Sequence, residues 1–294
     1  MLKGLSYQFL STFNYKKKQD PKSSKYFSLL QKIKHEGYHY SSVVHIGVKG
    51  IIVEDSAFTC QRVLNYIDKT PGVRHTYDFT IGEREIIVNY VDYDDKPRSV
   101  FDRYTKMIIM VLHLLSHNSN PQCSKTLNIY IYLTDINKYL PRTRRSALAA
   151  THVNSGISYM CARHNHIGVY RKEEWFKTLI HELLHAFGAD MNIHVTLPRV
   201  HTHSTLLVGE GYVEFWAVYI NAMITAFFIT PNNEHKFRRI FTDFLESERR
   251  FSLIQANKVL WHMAMRYRGF FRRDNHYKER TNAFAYFFIA SFFW

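Results

Sequence analysis

Three residues in the middle of the chain have the identities and the spacing of a metal-dependent hydrolytic site. The run TLIHELLHAFGAD covers residues 178–190. On a helix, His181 and His185 are four positions apart and lie on one face, so that both imidazoles can bind one zinc ion. Glu182 stands beside the first histidine, from where it can take a proton from a metal-bound water. The spacing therefore predicts metal ligands at His181 and His185 and a general base at Glu182.

The residues around this motif favour a buried helix. Glu173 and Glu174 fall in its first turn, where the helix dipole favours anions, and Gly188 is suited to end it. The other positions that support the helix are apolar: Trp175, Leu179, Leu183, Ala186 and Phe187. We therefore expect a helix over residues 173–188 whose polar groups are those of the motif.

The same pattern occurs a second time, as HEGYH at residues 35–39. Gly in the middle of a helix costs about 1 kcal/mol relative to Ala, and no apolar helical run surrounds this match. A strand-like stretch also begins within a few residues. We therefore interpret His35, Glu36 and His39 as a coincidental match.

A catalytic zinc ion usually has a third protein ligand, and the residues after the motif offer several candidates. One known spacing of zinc ligands places the third ligand ten residues after the first histidine. That position is Met191, which cannot bind zinc in this role, and Asp190 is one residue early. A polar loop supplies three further histidines, which we interpret as solvent-exposed: His194, His201 and His203.

Glu210 is the candidate that the pattern favours. In VGEGYVEFW it opens a long apolar helix, and Glu214 lies one turn later on the same face. A carboxylate at the start of an otherwise buried helix is costly unless it is paired or bound to a metal. Ion pairs with the many arginines are the alternative. We expect Glu210 to be the third ligand and Glu214 to orient a ligand histidine.

The composition is that of a folded protein with a basic surface. Apolar residues make up 46% of the 294 residues, with 22 Phe and 20 Tyr, which excludes global disorder. The 39 Lys and Arg exceed the 25 Asp and Glu by 14. These basic residues form short scattered runs without a recognisable nucleic-acid-binding motif, so we expect no specific nucleic-acid binding.

The cysteines bear on the cellular compartment. Cys60, Cys123 and Cys161 are far apart and odd in number. This pattern predicts neither a disulfide framework nor a CxxC metal pair, and it suits a reducing compartment. The N-terminus has no clear signal peptide. We therefore expect an intracellular, cytoplasmic protein.

One apolar segment, residues 212–230, has the length of a membrane span. It contains Glu214 and Asn221, and polar groups at that depth of a bilayer are costly. We interpret the segment as a buried core helix and predict no transmembrane segment.

Periodicity and composition predict strands and two helices in the first part of the chain and a mainly helical pattern from Lys172 onward. The predicted strands cover residues 43–54, 127–134, 152–161 and 167–170, with a hairpin over 76–93 that turns near Ile81 and Gly82. The predicted helices cover residues 57–68, 99–117, 173–188, 210–229, 233–250, 253–268 and 280–294. The last of these ends in the uncharged run AFAYFFIASFFW, which we expect to dock within the fold.

This order of elements predicts an α+β fold. Residues 1–40 are basic, and we expect a poorly ordered lead-in there. Residues 41–294 are predicted to form a single catalytic domain. Its first part, about 41–190, would hold a mixed β-sheet and the active-site helix, and its second part, about 191–294, would be mainly helical.

These motifs together resemble the gluzincin-type zinc metallopeptidases, which combine HExxH with a downstream glutamate. The resemblance covers roughly residues 127–220, through LNIYIYLTD, VNSGIS, YRKEEWFKTLIHELLHAFGAD and GEGYVE. The whole pattern is also similar to metallopeptidases that large DNA viruses encode. The resemblance implies a zincin-like fold and one zinc ion held by His181, His185 and Glu210. It also implies a peptide or protein substrate.

Two further features follow from the resemblance. An edge strand that would bind substrate backbone by β-addition is expected to contain Asn154, Ser155 and Gly156. The residue that stabilises the transition state in the family has no clear counterpart. Its candidates are Tyr267, His276, Tyr277 and Tyr286, and a core or surface position is the better interpretation of each.

Two other function classes fit part of the pattern. A catalytically inactive zincin-fold module that binds a partner or an anionic surface would not need the base, so the intact Glu182 disfavours it. A structural zinc protein would need a fourth ligand, which the loop histidines would have to supply.

Overall fold

A six-stranded mixed sheet with helices packed around it gives the chain an α+β fold. The computed structural model describes residues 22–49, 59–117, 119–191, 193, 200–202, 204 and 206–293. The first half contains α1 (Ser23–Glu36), β1 (Ser41–Val48), α2 (Gln61–Lys69), β2 (Gly72–Ile81), β3 (Arg84–Asp92), α3 (Arg98–Ser116) and β4 (Thr126–Tyr132). The second half contains α4 (Ala150–Val153), β5 (Gly156–Ser158), β6 (His164–Val169), α5 (Trp175–Ala186), α6 (Val208–Ile229) and α7 (Glu234–His262).

The sheet has the strand order β1-β2-β3-β4-β6-β5. Strands β1, β2 and β3 are antiparallel neighbours, β3, β4 and β6 run parallel, and β5 returns antiparallel to β6 at one edge. The predicted hairpin is confirmed, since Ile81 pairs with Arg84 across a turn at Gly82. The strand predicted over 127–134 is observed as β4, in which Leu127, Ile129 and Ile131 are buried and Thr126, Asn128 and Tyr130 are partly exposed.

The predicted elements differ from the observed ones in type or number in three places. The helices predicted over 233–250 and 253–268 form one helix, α7, because neither Gly nor Pro interrupts the sequence there. This helix ends at His262, so residues 263–268 lie beyond it. Of the strand predicted over 152–161, only β5 pairs with the sheet, and the preceding residues form α4. The helix predicted over 280–294 is a π-helical turn, Ala285–Ile289, followed by a 3₁₀ turn, Ala290–Phe293.

The expectation of a poorly ordered lead-in is wrong for residues 23–36, which form α1. Phe27, Leu30 and Ile33 recur on one face of α1 and are buried in the main core. The lysine-rich composition suggested disorder, but lysines such as Lys25 and Lys32 lie on the exposed face. Residues 1–21 lie outside the part of the chain that is described.

The main core joins the sheet to α1, α3, α5, α6 and α7, and a second cluster joins α7 to the C-terminal segment. In that second cluster Phe284, Phe288 and Ile289 are buried, so the expected docking of the C-terminal run is confirmed. Gly211, in α6, allows the C-terminal segment to pack closely on that helix, because a Cβ atom there would lie 2.5 Å from Cγ2 of Ile289.

Cys123 and Cys161 form a disulfide, and Cys60 is free and buried. The prediction of no disulfide is therefore wrong. The physical reason is the sheet topology: Cys123 precedes β4, Cys161 precedes β6, and these two strands pair in parallel, so the segments before them meet. The cysteine pattern no longer supports a reducing compartment. The intracellular location stays a prediction.

Among the described helices, α6 has the length and apolar composition that a membrane span requires. Half of its most apolar window is buried, and Val213, Ala217 and Ile224 belong to the main core. The core helix of a soluble protein meets the same criteria, so the predicted lack of a transmembrane segment stays a prediction.

Candidate metal centre

Helices α5 and α6 bring three side chains to one point. His181 and His185 lie one turn apart on α5, and their Nε2 atoms are 3.2 Å apart. Oε2 of Glu210, from the first turn of α6, lies 3.4 Å from each of these nitrogens. Within the described ranges, this is the one group of three or more His, Cys, Asp or Glu residues whose ligand atoms converge in this way. The structure thus brings together the three residues that the sequence predicts as ligands.

The separations of the three atoms fit a tetrahedral zinc site. Bonds of about 2.0–2.2 Å from zinc to nitrogen or oxygen imply ligand–ligand edges of roughly 3.3–3.6 Å. Oε2 of Glu210 is buried and has no hydrogen-bond partner among the residues described, and a cation would relieve the cost of that burial. Two imidazoles and one carboxylate are also a donor set of catalytic zinc sites that keep one position open. The residues present therefore fit a zinc ion.

A second layer of carboxylates holds both imidazoles. Nδ1 of His181 lies 3.0 Å from Oε2 of Glu214, and Nδ1 of His185 lies 2.9 Å from Oδ2 of Asp190. An imidazole that donates its Nδ1–H to a carboxylate keeps the lone pair of Nε2 free for a metal. Glu214 and Asp190 thus favour the tautomer and the ring orientation that ligation requires.

Lys177 neutralises Glu214 inside the protein. Its Nζ donates to Oε1 of Glu214 at 2.9 Å and lies 3.8 Å from Oε2 of Glu174. Burial alone would raise the pKa of Glu214, but the charge of Lys177 and the bond to His181 outweigh it and lower the pKa to about 2. Glu174 in turn accepts a hydrogen bond from Ser155 and pairs with Lys138. Glu214 therefore stays ionised although it is buried.

The side chain of Glu182, a residue of α5, contacts the edge strand β5. Its Oε2 accepts a hydrogen bond of 2.6 Å from Oγ of Ser158, on β5. Gly156 allows this close approach, because a Cβ atom there would lie 2.7 Å from Oε1 of Glu182. Burial raises the pKa of the Glu182 carboxyl, while His181 and other neighbours oppose that rise. The carboxylate is thus held beside the two imidazoles by a strand that lies at the edge of the sheet.

Tyr286 forms part of the wall of this site. Its ring lies edge-on to the ring of His181, with 5.4 Å between the centroids. Burial raises the pKa of its phenol, and the charges of Glu210 and Glu182 raise it further, so the hydroxyl stays protonated. Of the four candidates for a transition-state-stabilising residue, Tyr286 is the one whose ring contacts a ligand histidine. Tyr277 instead donates its hydroxyl to Glu279 at 2.7 Å.

The disulfide lies at the C-terminal end of α5. The backbone N–H of Cys161 donates to the carbonyl of His185 at 3.2 Å, and Oγ of Ser124 donates to the carbonyl of Ala186 at 2.9 Å. The last carbonyls of a helix have no partner within it, so these two contacts, together with the bond from the Gly188 N–H to the His185 carbonyl, satisfy carbonyls at this end of α5. Gly188, with φ of +74°, ends the helix as predicted.

The remaining candidates do not join this group. Gly37, with φ of +85°, ends α1, so His35 and His39 do not share a helical face. Among the described residues, the HEGYH match belongs to no group of converging ligands. His201 belongs to no such cluster in the described part of the chain. Met191 is exposed. His194 and His203 lie outside the described residues.

Sequence reasoning missed three contributors to the site. Asp190 was weighed only as a ligand, and neither Lys177 nor Ser158 was singled out. The spacing of Lys177 was a usable signal, because it lies four residues before His181 and so on the same face of α5. The contact of Ser158 with Glu182 depends on how β5 packs against α5, which the sequence pattern does not specify.

Comparison with protein-family models, with curated proteins and with solved structures finds no match to this chain.

Proposed function

We propose that this protein is a zinc-dependent peptidase with a zincin-like fold, in which His181, His185 and Glu210 hold the metal and Glu182 is the general base. One observation carries the proposal: the Nε2, Nε2 and Oε2 atoms form a triangle with edges of 3.2, 3.4 and 3.4 Å. A zinc ion held there would supply Lewis acidity toward a water molecule and toward the carbonyl of a scissile peptide bond.

Glu182 performs the proton transfers in this proposal. Its carboxylate accepts a proton from the attacking water and delivers it to the departing amine. Ser158 donates to Oε2, so that oxygen is fixed and Oε1 is left to handle the proton. The position of Glu182 directly after a ligand histidine supports this role, because both side chains leave the same turn of α5.

The edge strand β5 supports a peptide as the substrate. It is the last strand in the sheet order, and it contacts α5 through the pair Ser158–Glu182. A peptide that adds to the outer edge of β5 would pair its backbone with the strand and pass beside the base. Gly156, predicted as part of this strand, lies in β5, whereas Asn154 and Ser155 lie just before it.

The experiment uses the purified full chain, stripped with a chelator and reconstituted with zinc, on a library of fluorogenic peptides. We expect the wild type to cleave and Glu182→Gln to lose activity by about 10²- to 10⁴-fold at unchanged zinc content. Glu173→Gln is the matched control, because Glu173 is exposed in the turn before α5.

Two results would contradict the proposal. If Glu182→Gln kept its activity at equal zinc content, Glu182 would not be the base. If the zinc-loaded wild type cleaved no peptide, a binding module or a structural zinc protein would be the better explanation.

A further inference from the structure

Three segments meet at the C-terminal end of α7 and form a surface that is both basic and apolar. They comprise residues 139–145, 250–261 and 266–280, and we call this surface the basic-aromatic face. Nη2 of Arg144 donates to the carbonyl of Trp261 at 2.8 Å, which joins the first segment to α7. The third segment follows α7 directly, and its His276 bonds through Nε2 to the carbonyl of Met263.

The basic-aromatic face carries a large excess of positive charge. Its three segments contain eleven Lys and Arg residues, every one of them exposed: Arg142, Arg144, Arg145, Arg250, Lys258, Arg266, Arg268, Arg272, Arg273, Lys278 and Arg280. The three segments contain two acidic residues, and a third, Glu246 in the preceding turn of α7, pairs with Arg250 at 2.8 Å. Asp274 is paired with Arg272 at 2.7 Å, and Glu279 is buried. The face therefore carries nine of the fourteen excess positive charges of the whole chain.

Large apolar side chains stand among these charges. Phe251, Ile254 and Trp261 recur at helical spacing on one side of α7 and are 54%, 45% and 50% exposed. The opposite side of α7 is buried in the second core cluster, so α7 is apolar on both sides at this end. Four more apolar residues of the face are exposed: Tyr139, Leu140, Tyr267 and Phe271. Apolar side chains gathered in this way on a surface indicate an interaction site.

We propose that the basic-aromatic face docks the protein onto an anionic phospholipid membrane. Arginine and lysine side chains are attracted by anionic headgroups, and Trp, Tyr, Phe and Ile side chains enter the boundary between headgroups and acyl chains. A helix that lies in this boundary combines an apolar stripe with flanking basic residues, as the outer side of α7 does. The inference does not depend on the metal centre, which belongs to other elements.

A nucleic acid is the other anionic partner to consider, and the aromatic geometry disfavours it. Single-stranded nucleic acids bind by stacking bases on the faces of aromatic rings. The guanidinium of Arg144 lies over the ring of Trp261, 4.7 Å from its centroid, and so covers a face that a base would need. Ile254 and Leu140 offer no ring to stack on. They contribute apolar area, which a membrane uses and a nucleic acid does not.

The test measures co-sedimentation of the full chain with vesicles of phosphatidylcholine that contain about 30% phosphatidylglycerol, at low and at physiological salt. We expect binding to these vesicles and none to vesicles of pure phosphatidylcholine. Phe251→Ser with Trp261→Ser should weaken binding although the charge is unchanged. Arg266→Glu with Arg268→Glu should weaken it by more than about tenfold. The charge-matched control is Lys25→Glu with Lys32→Glu on α1, which should bind like the wild type.

Other results would overturn the proposal. Equal loss of binding in the α1 control would show attraction to net charge alone. Stronger binding of a single-stranded oligonucleotide, lost in the Arg266 and Arg268 variant, would make the face a nucleic-acid site. A dimer in solution that the Phe251 and Trp261 variant abolishes would make it a self-association surface. If that apolar variant unfolds, the arginine variant decides, because both of its side chains are exposed.

Discussion

Oδ2 of Asp190 lies 2.9 Å from Nδ1 of His185, so the aspartate supports the histidine rather than competing with it for a metal. The contact forms because α5 ends at Ala186 and the chain changes direction at Gly188, whose φ is +74°. Glu214 supports His181 in the same way from α6. Each imidazole thus has a carboxylate beside its Nδ1 atom, and Glu210 lies beside the Nε2 atoms of both.

Removing either supporting carboxylate should weaken zinc binding without abolishing the site. We expect Asp190→Ala and Glu214→Ala each to lower the zinc affinity by about 10- to 100-fold, since the imidazole loses its fixed tautomer and orientation. A competition titration against a fluorescent chelator measures this, and all variants should still bind about one zinc ion at saturation. Loss of stoichiometry in Asp190→Ala, with Glu210→Ala unaffected, would make Asp190 the ligand.

Tyr286→Phe should separate catalysis from metal binding. Its ring packs against His181, so we expect zinc content and thermal stability to be unchanged. We expect kcat to fall by about 10²-fold, because the variant loses one hydrogen-bond donor to the charge that develops in the transition state. Tyr277→Phe is the control, because Tyr277 donates to Glu279 and not to the metal centre. Equal kcat values for Tyr286→Phe and the wild type would leave Tyr286 with a packing role only.

Glu279 should make the stability depend on pH. Burial raises the pKa of Glu279 from 4.5 to about 7, and the bonds from Tyr277 and the backbone N–H of Phe284 offset only part of that. Between these values the folded chain holds a proton that the unfolded chain releases. The stability linked to this group is therefore full below about pH 4.5 and is lost as the pH rises through about 7.

Glu279→Gln removes this titration. We expect urea unfolding to show that the difference in free energy of unfolding, variant minus wild type, rises by up to about 3 kcal/mol from about pH 5 to pH 8. The comparison with the wild type cancels groups that titrate in both proteins. Parallel curves for the two proteins over this range would mean that Glu279 is ionised in the folded state at neutral pH.

The disulfide is open to a direct count of thiols. Protein purified without reductant and then denatured should show one reactive thiol, that of Cys60, and three after reduction. Reduction should lower the free energy of unfolding by about 2–4 kcal/mol, because the bond closes a loop between residues 38 positions apart. Three reactive thiols before reduction would contradict the pairing of Cys123 with Cys161.

Local spacing was enough to predict the helix that carries two of the candidate metal ligands and the glutamate that joins them. His181, Glu182 and His185 occupy one helical turn, so their mutual placement follows from α-helical geometry. Glu210 is 25 residues further along, yet it was predictable because an unpaired carboxylate in an apolar helix is costly. The α+β class followed from the order of strand and helix patterns, and it is confirmed.

The features that the sequence did not reveal all depend on contacts between distant segments. Cys123 meets Cys161 only because β4 and β6 run parallel and in register. Tyr286 reaches His181 because the C-terminal segment packs across α6 at Gly211. The order of α1 comes from the burial of its apolar face against the core, which composition alone cannot predict.

The zinc content of three proteins distinguishes the proposed site from the other HExxH match: wild type, His185→Ala and His39→Ala. The two variants make the same substitution in the two HExxH matches of the chain, so they are matched in chemistry and differ in location. By elemental analysis after dialysis, we expect about one zinc ion per chain in the wild type and in His39→Ala, and a large loss in His185→Ala, because two of three ligands hold zinc weakly. Loss of zinc in His39→Ala with retention in His185→Ala would show that zinc does not bind at His181, His185 and Glu210.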